Sequence, residues 1–160
     1  MQIDTVKQIA DELKKANMVY IIGNGGSAAL ADHFACDLLK NCHLPAISLC
    51  SNQSLITAIG NDYSFSDIFL KQLEILFEKR DVLVAFSTSG QSENVLKAMH
   101  YAKKIHNIVI GISGRHKGSL FEQYSTIFYR IKARNMQDCE NKMVEFCHKL
   151  YKEVNYGRKG

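Results

Sequence analysis

The run Met18-Val19-Tyr20-Ile21-Ile22-Gly23-Asn24-Gly25-Gly26-Ser27-Ala28 decides the fold. Five apolar residues in succession, without polar alternation, suit a short strand buried on both faces, as in a parallel sheet. The glycines then make a tight turn, and helix-forming sequence begins at Ser27. Upstream, residues 2–16 set Ile3, Val6, Ile9, Ala10 and Leu13 on one face of an amphipathic helix. Downstream, the sequence predicts a helix over 27–40, a strand over 46–49, helices over 53–59 and 65–77, and a strand over 82–86. A helix over 93–105, a strand over 108–112, a short helix over 117–122, a strand over 126–131 and a last helix over 137–154 complete the pattern. Strands alternating with helices imply an α/β fold, a three-layer αβα sandwich with a doubly wound, flavodoxin-like parallel sheet of five strands. Such sheets carry their sites at the carboxyl ends of the strands.

The 160 residues, 46% hydrophobic and 22% charged, match one globular domain over 1–160, with a short N-terminal helix over 2–16. One proline against ten glycines, with no low-complexity tract, argues against a flexible linker. Apolar runs such as 82–86 are too short to cross a bilayer, and the N-terminus lacks a signal-peptide pattern, so a cytoplasmic location is expected. Five cysteines without a C-x-x-C pair read as small buried hydrophobes rather than a disulfide framework. The net charge of +4 is modest, part of it in Arg158 and Lys159, and predicts neither a nucleic-acid nor a membrane partner.

Two loops carry the chemistry. Gly23 to Ala28, at a helix N-terminus, lets backbone amides approach an anion, although a plain strand-to-helix turn reads the same way. Gly23, Gly25 and Ala28 also satisfy G-x-G-x-x-A loosely. The next strand, however, ends at Leu49-Cys50-Ser51 without an acidic residue for a ribose, so no nucleotide cofactor is expected. Ser87-Thr88-Ser89-Gly90-Gln91-Ser92 gathers four hydroxyls before another helix, which suits a phosphate monoester as well as a simple N-cap. Two such loops at strand ends of one sheet define a cleft.

Gly23-Asn24-Gly25-Gly26-Ser27, His33-Phe34-Ala35, Gly60-Asn61-Asp62 and the serine run together resemble the SIS (sugar isomerase) domain of phosphoheptose isomerases, from residue 18 to about 154. The resemblance implies conversion of sedoheptulose 7-phosphate to D-glycero-D-manno-heptose 7-phosphate, supplying heptose for lipopolysaccharide or capsule. It also implies a homotetramer with interface active sites. Ser87, Thr88, Ser89 and Ser92 match the phosphate cradle, Asn24, Gly25, Gly26 and Ser27 the sugar-contacting turn, and Asn61 and Asp62 a further substrate pair. His33 and Asp37 stand at i, i+4 on one helical face, and Asp37 replaces the family's usual glutamate with a shorter carboxylate.

In the last helix the family has an oxygen donor and, eight residues later, a histidine. Gln137 with Glu145 and Glu140 with His148 are both eight apart, and the second pairing is preferred because it keeps an imidazole for proton transfer. By this resemblance His33, Asp37, Glu140 and His148 hold one zinc per subunit, Asp37 and His148 form the acid–base pair, and Glu140 also touches substrate. Two other functions remain open: a non-catalytic SIS sensor or adaptor, and an isomerase of another phosphosugar. Ala28 in place of a histidine, and Lys40-Asn41 in place of the frequent Thr-Gly-Arg ending, bear on substrate choice. The short segment before residue 18 suggests a trimmed assembly arm. His43, His100, His106 and His116 receive no role, and Tyr63, Phe65 and Phe69 read as core or interface packing.

Overall fold

Every strand lies parallel to its neighbours in one sheet of order β2-β1-β3-β4-β5, formed by β1 (Val19–Ile22), β2 (Ala46–Ser48), β3 (Val82–Ser87), β4 (Ile108–Ser113) and β5 (Ile127–Arg130). The computed structural model describes residues 2–114 and 118–156, with side chains from Thr5 onward; the readings of Ile3, His116, Lys117, Arg158 and Lys159 lie outside these. The helices are α1 (Gln2–Lys15), α2 (Gly26–Cys36), α3 (Gln53–Asp62), α4 (Leu70–Leu76), α5 (Glu93–Lys104), α6 (Leu120–Tyr124) and α7 (Met136–Tyr156).

Side chains alternate across the pleat, so each central strand feeds two cores. Val19, Ile21, Val82, Val84, Phe86, Ile110 and Ile112 face α1, α2 and α7, whereas Tyr20, Ile22, Leu83, Ala85 and Val109 face α3 to α6. The result is a three-layer αβα sandwich. Phe34 of α2 meets Phe86 of β3 edge to face, with ring centroids 6.1 Å apart, and fixes α2 on its side of the sheet. The chain steps from β1 outward to β2, then returns to β3 on the other side of β1. This reversal places the loops after β1 and β3 side by side at the carboxyl end, where doubly wound sheets open a crevice. Among the described residues, no helix is long and apolar enough to cross a membrane.

Several elements differ from the sequence reading. The helix expected over 27–40 is α-helical only to Cys36 and continues as a π turn over Asp37–Asn41, where the Cys42 amide bonds the Asp37 carbonyl. Residues 65–77 divide into a 3₁₀ turn, Phe65–Asp67, and α4. The short helix begins at Leu120, with Ser119 as its cap. Of the five cysteines, Cys42, Cys139 and Cys147 are buried, but Cys36 is exposed and Cys50 half-buried; all are free thiols. Phe69 is core, yet Tyr63 and Phe65 project into solvent, because the 3₁₀ turn directs Ile68 and Phe69 inward instead.

Phe34→Ala should cost about 3–5 kcal/mol by leaving a cavity against Phe86, whereas Ile75→Ala, on the solvent face of α4, should change stability by less than about 0.5 kcal/mol. Urea unfolding midpoints of the two variants check both.

Candidate active site

Gly25 opens α2 with φ 55° and ψ −122°, a conformation for which a side chain would be strained. The turn closes through the Ser27 amide on the Asn24 carbonyl at 2.9 Å and the Ala28 amide on the Gly25 carbonyl at 3.0 Å. Asn24 then reaches across to α5. Its amide nitrogen donates to Asn94 Oδ1 and its oxygen accepts from Asn94 Nδ2, both at 2.8 Å. Asn94 is buried, and its Oδ1 also accepts from the Val95 amide at 2.9 Å. This reciprocal amide pair ties the glycine loop to the helix that follows the serine loop. The sequence reading missed Asn94; only its place two residues after Ser92 hinted at a role beside the loop.

In the serine loop, Ser87 is buried and its Oγ accepts from the Gly90 amide at 3.0 Å, folding the loop back on β3. Ser89 is exposed and accepts from the Gln91 amide. Ser92 is the N-cap of α5 but bonds no amide of that helix, since Asn94 already serves Val95. Among the described residues its hydroxyl makes no side-chain bond to the helix it caps, and it stands at an N-terminus where the dipole favours an anion. A cavity of about 240 Å³ separates Thr88 and Ser89 from Gly114, Arg134, Asn135 and Cys139 at the start of α7. Arg134, which the sequence reading did not single out, lines this cavity, but its side chain is largely exposed and its Nε lies 3.4 Å from Asp138 Oδ2. Its neighbour in the first turn, Asp138, accepts from the Arg134 amide at 2.8 Å and from Lys142 Nζ at 3.0 Å. The Arg134 amide first, then Lys142, holds this carboxyl well below its ordinary value, at about 2.

The third feature lies between α2, the π turn and α7. His33 Nε2 is 3.2 Å from His148 Nε2 and 3.5 Å from Asp37 Oδ2, and the three ligand atoms lie within 4.8 Å of one another. The two rings meet edge to face. Asp37 Oδ1 accepts from Asn41 Nδ2 at 3.1 Å, while Oδ2 is buried and receives no hydrogen bond among the described residues. A desolvated carboxylate oxygen without a partner costs free energy unless something cationic meets it. Two imidazole nitrogens and this oxygen converging on one point are a donor set suited to a divalent metal with a position left open, so the residues fit the implied ion. Beneath them, burial first and then the Asp37 charge push the Cys147 thiol far up.

Glu140 departs from expectation. It is not part of the three-residue cluster; its carboxylate sits at Gly26, where an added Cβ would lie 3.1 Å from Oε1. Eight residues along a helix span about 12 Å, so Glu140 and His148 serve different places. Glu145, the alternative partner, lines a groove with Tyr129 and Lys149, and Gln137 is exposed, so the register on α7 that meets His33 is that of His148. Met143 and Cys147 on α7 are buried, whereas Val144 is exposed. Asn61 and Asp62 form the last turn of α3 rather than a loop, and Asn61 Nδ2 donates to Asp62 Oδ1 at 3.0 Å. Among the described residues, no hydrogen bond joins either to the two loops.

The sheet is doubly wound, with a serine loop and a glycine loop flanking its reversal, each leading into a helix N-terminus that can meet an anion. Residues 3–114 match the SIS domain family model. The chain belongs to the SIS domain family and groups with its phosphoheptose isomerases. It is 47% identical over 121 residues to the phosphoheptose isomerase of Campylobacter concisus, covering 72% of this chain and 64% of that protein. To that of Nitratidesulfovibrio vulgaris it is 43% identical over 123 residues, covering 74% and 59%. The chain thus spans about three fifths of the length of these curated relatives. The structure of phosphoheptose isomerase GmhA from Neisseria gonorrhoeae superposes with a TM-score of 0.87 at 30% identity, covering 95% of this chain and 86% of that one.

Two outcomes follow from this geometry. Asn94→Ala leaves the Asn24 amide without its partner and should destabilise the fold by about 1–3 kcal/mol, read from urea midpoints. Because the folded Asp138 carboxyl titrates at about 2 and its ordinary value is 3.8, its stabilisation is fully present above that ordinary value. It is lost as pH falls toward 2. Asp138→Asn should flatten the fall of Tm across that window.

Proposed function

We propose that this chain is a cytoplasmic aldose–ketose isomerase of phosphosugars, converting sedoheptulose 7-phosphate to D-glycero-D-manno-heptose 7-phosphate for surface polysaccharide. The observation that carries this reading is the convergence of His33, Asp37 and His148 at a buried, unpartnered carboxylate oxygen, in a domain whose serine loop can hold a phosphate. Kinship with phosphoheptose isomerases supports the substrate.

The Ser92 hydroxyl, Thr88, Ser89 and the α5 N-terminus would bind the phosphate, and Arg134 would add charge from the far wall of the cavity. Binding there supplies remote energy that orients the reacting carbons. Asn24, Gly25, Gly26 and Ser27 would contact the sugar. Glu140, over Gly26, would accept from its hydroxyls, and Asn61 with Asp62 would close the substrate's outer side.

The reaction moves one proton from C1 to C2 and one from O1 to O2 through a cis-enediol, so it needs no redox partner. Asp37 and His148 would exchange the roles of base and acid. His33, Asp37 and His148 would hold a zinc ion, one per subunit, whose chemistry there would be Lewis acidity toward the substrate's oxygens. Exposed Leu39, Tyr63 and Phe65 support assembly as a homotetramer with sites at subunit interfaces.

Purified protein incubated with sedoheptulose 7-phosphate, with and without zinc, should yield the aldose by NMR. Asp37→Asn and His148→Ala should each lower kcat by about 10²–10⁴-fold with unchanged circular dichroism. Near-normal turnover in both variants would sink the assignment, and tight binding of the sugar phosphate without turnover in the wild type would favour a sensor.

A further inference from the structure

Asp37 divides the work of its two oxygens. Oδ1 accepts from Asn41 Nδ2 at 3.1 Å; Oδ2 lies 3.5 Å from His33 Nε2, within the cluster that includes His148, and accepts no hydrogen bond among the described residues. Since a carboxylate only accepts, the Asn41 amide must present its NH₂ here, which settles its orientation. We infer that Asn41 is the positioning residue of this centre: by holding Oδ1 it keeps Oδ2 aimed at the two imidazoles. The inference rests on the reading of His33, Asp37 and His148 as a metal site.

The backbone is arranged for this contact. Asp37 and Asn41 are the first and last residues of the π turn, which is locked from inside by Leu38 and Cys42, both buried. The Cys42 amide bonds the Asp37 carbonyl, and the Leu44 amide bonds the Leu38 carbonyl at 3.0 Å, so the turn that carries Asn41 cannot unwind freely. π turns inside helices recur at functional sites. The Asp37 side chain has two torsions, and without a donor on Oδ1 its carboxylate can rotate about the second and withdraw Oδ2 from the cluster. A hydrogen bond from behind a ligand fixes the ligand's orientation, and its loss typically weakens metal binding about 10–100-fold.

The test uses the full chain and zinc alone, with affinity measured by chelator competition and ligand geometry by the visible spectrum of the cobalt-loaded protein. Asn41→Leu, similar in volume and lacking a donor, should weaken zinc binding about 10–100-fold and alter the cobalt bands. The Tm of the metal-free protein should stay within a few degrees of wild type. Asn41→Gln, which keeps an amide donor, should recover part of the affinity. Wild-type affinity and spectrum in Asn41→Leu, alongside lost affinity in His33→Ala, would overturn the positioning role and leave the metal site standing. Failure of wild-type protein to bind zinc, or unchanged binding in His33→Ala, would overturn the metal site and this role together.

Discussion

Neither face of β1 or β3 has access to water, and most of the structure follows from that. Strands apolar on both sides must be covered on both sides, so each return connection has to carry a helix over one face or the other. Placing β2 on one flank of β1 and β3 on the other then puts the chain's reversal between β1 and β3. Both chemistry-bearing loops leave the sheet at that point. Their nearness comes from burying Val19, Ile21, Val82 and Val84 on one face and Tyr20, Ile22 and Leu83 on the other. The Asn24–Asn94 amide pair then fixes the distance between the two loops.

The histidine and aspartate cluster has a different origin. His33 and His148 are 115 residues apart and meet because α2 and α7 both dock on the face of the sheet presented by Phe86 and Ile112. That docking desolvates Asp37 without giving its inner oxygen a donor. In the surrounding core, Cys147 stays a thiol, its ionisation opposed by burial and then by Asp37 itself. A second negative charge is thereby kept away from the carboxylate. The Asp37 carboxyl is faced by the two imidazoles.

The sheet and its crossovers were legible in sequence because apolar runs such as Val82 to Phe86 have only one way to be buried. The loops were legible as a pair: either alone reads equally as a plain turn or an N-cap, but two at strand ends of one sheet mark a cleft. The π turn was not, because its side-chain pattern over Asp37–Asn41 continues that of an α-helix and the difference lies in the backbone hydrogen bonding, as in the Cys42 amide on the Asp37 carbonyl. Glu140 was grouped with His33 by the resemblance, which pairs an oxygen donor with a histidine eight residues on, an interval that spans about 12 Å of helix; Asn94 was missed because its partner Asn24 is 70 residues away, and the contact of Asn41 with Asp37 because it depends on the turn's geometry. Tyr63, Phe65 and Phe69 read as core or interface packing; Phe69 is core, whereas Tyr63 and Phe65, beside and in the 3₁₀ turn, stay exposed, a division that their shared aromatic character does not reveal.

The last helix sets the layout of the whole site. Cys139 packs beneath Gly114, 2.9 Å from where a Cβ on that glycine would stand, and lines the serine-loop cavity with Thr88. Glu140 lies over Gly26 of the glycine loop, and His148 meets His33. Three points from residue 139 to 148 cover about 13.5 Å of helix, so the site is a trough laid along α7 rather than a round pocket. Their register is held by one apolar stripe, Met143, Phe146, Cys147, Leu150 and Val154, sealed against the sheet and α1. A slip by one residue would turn every side chain by about 100°, remove the stripe from the core and take Glu140 and His148 from their partners at once. Burial of that stripe is therefore what keeps the two ends of the trough in step.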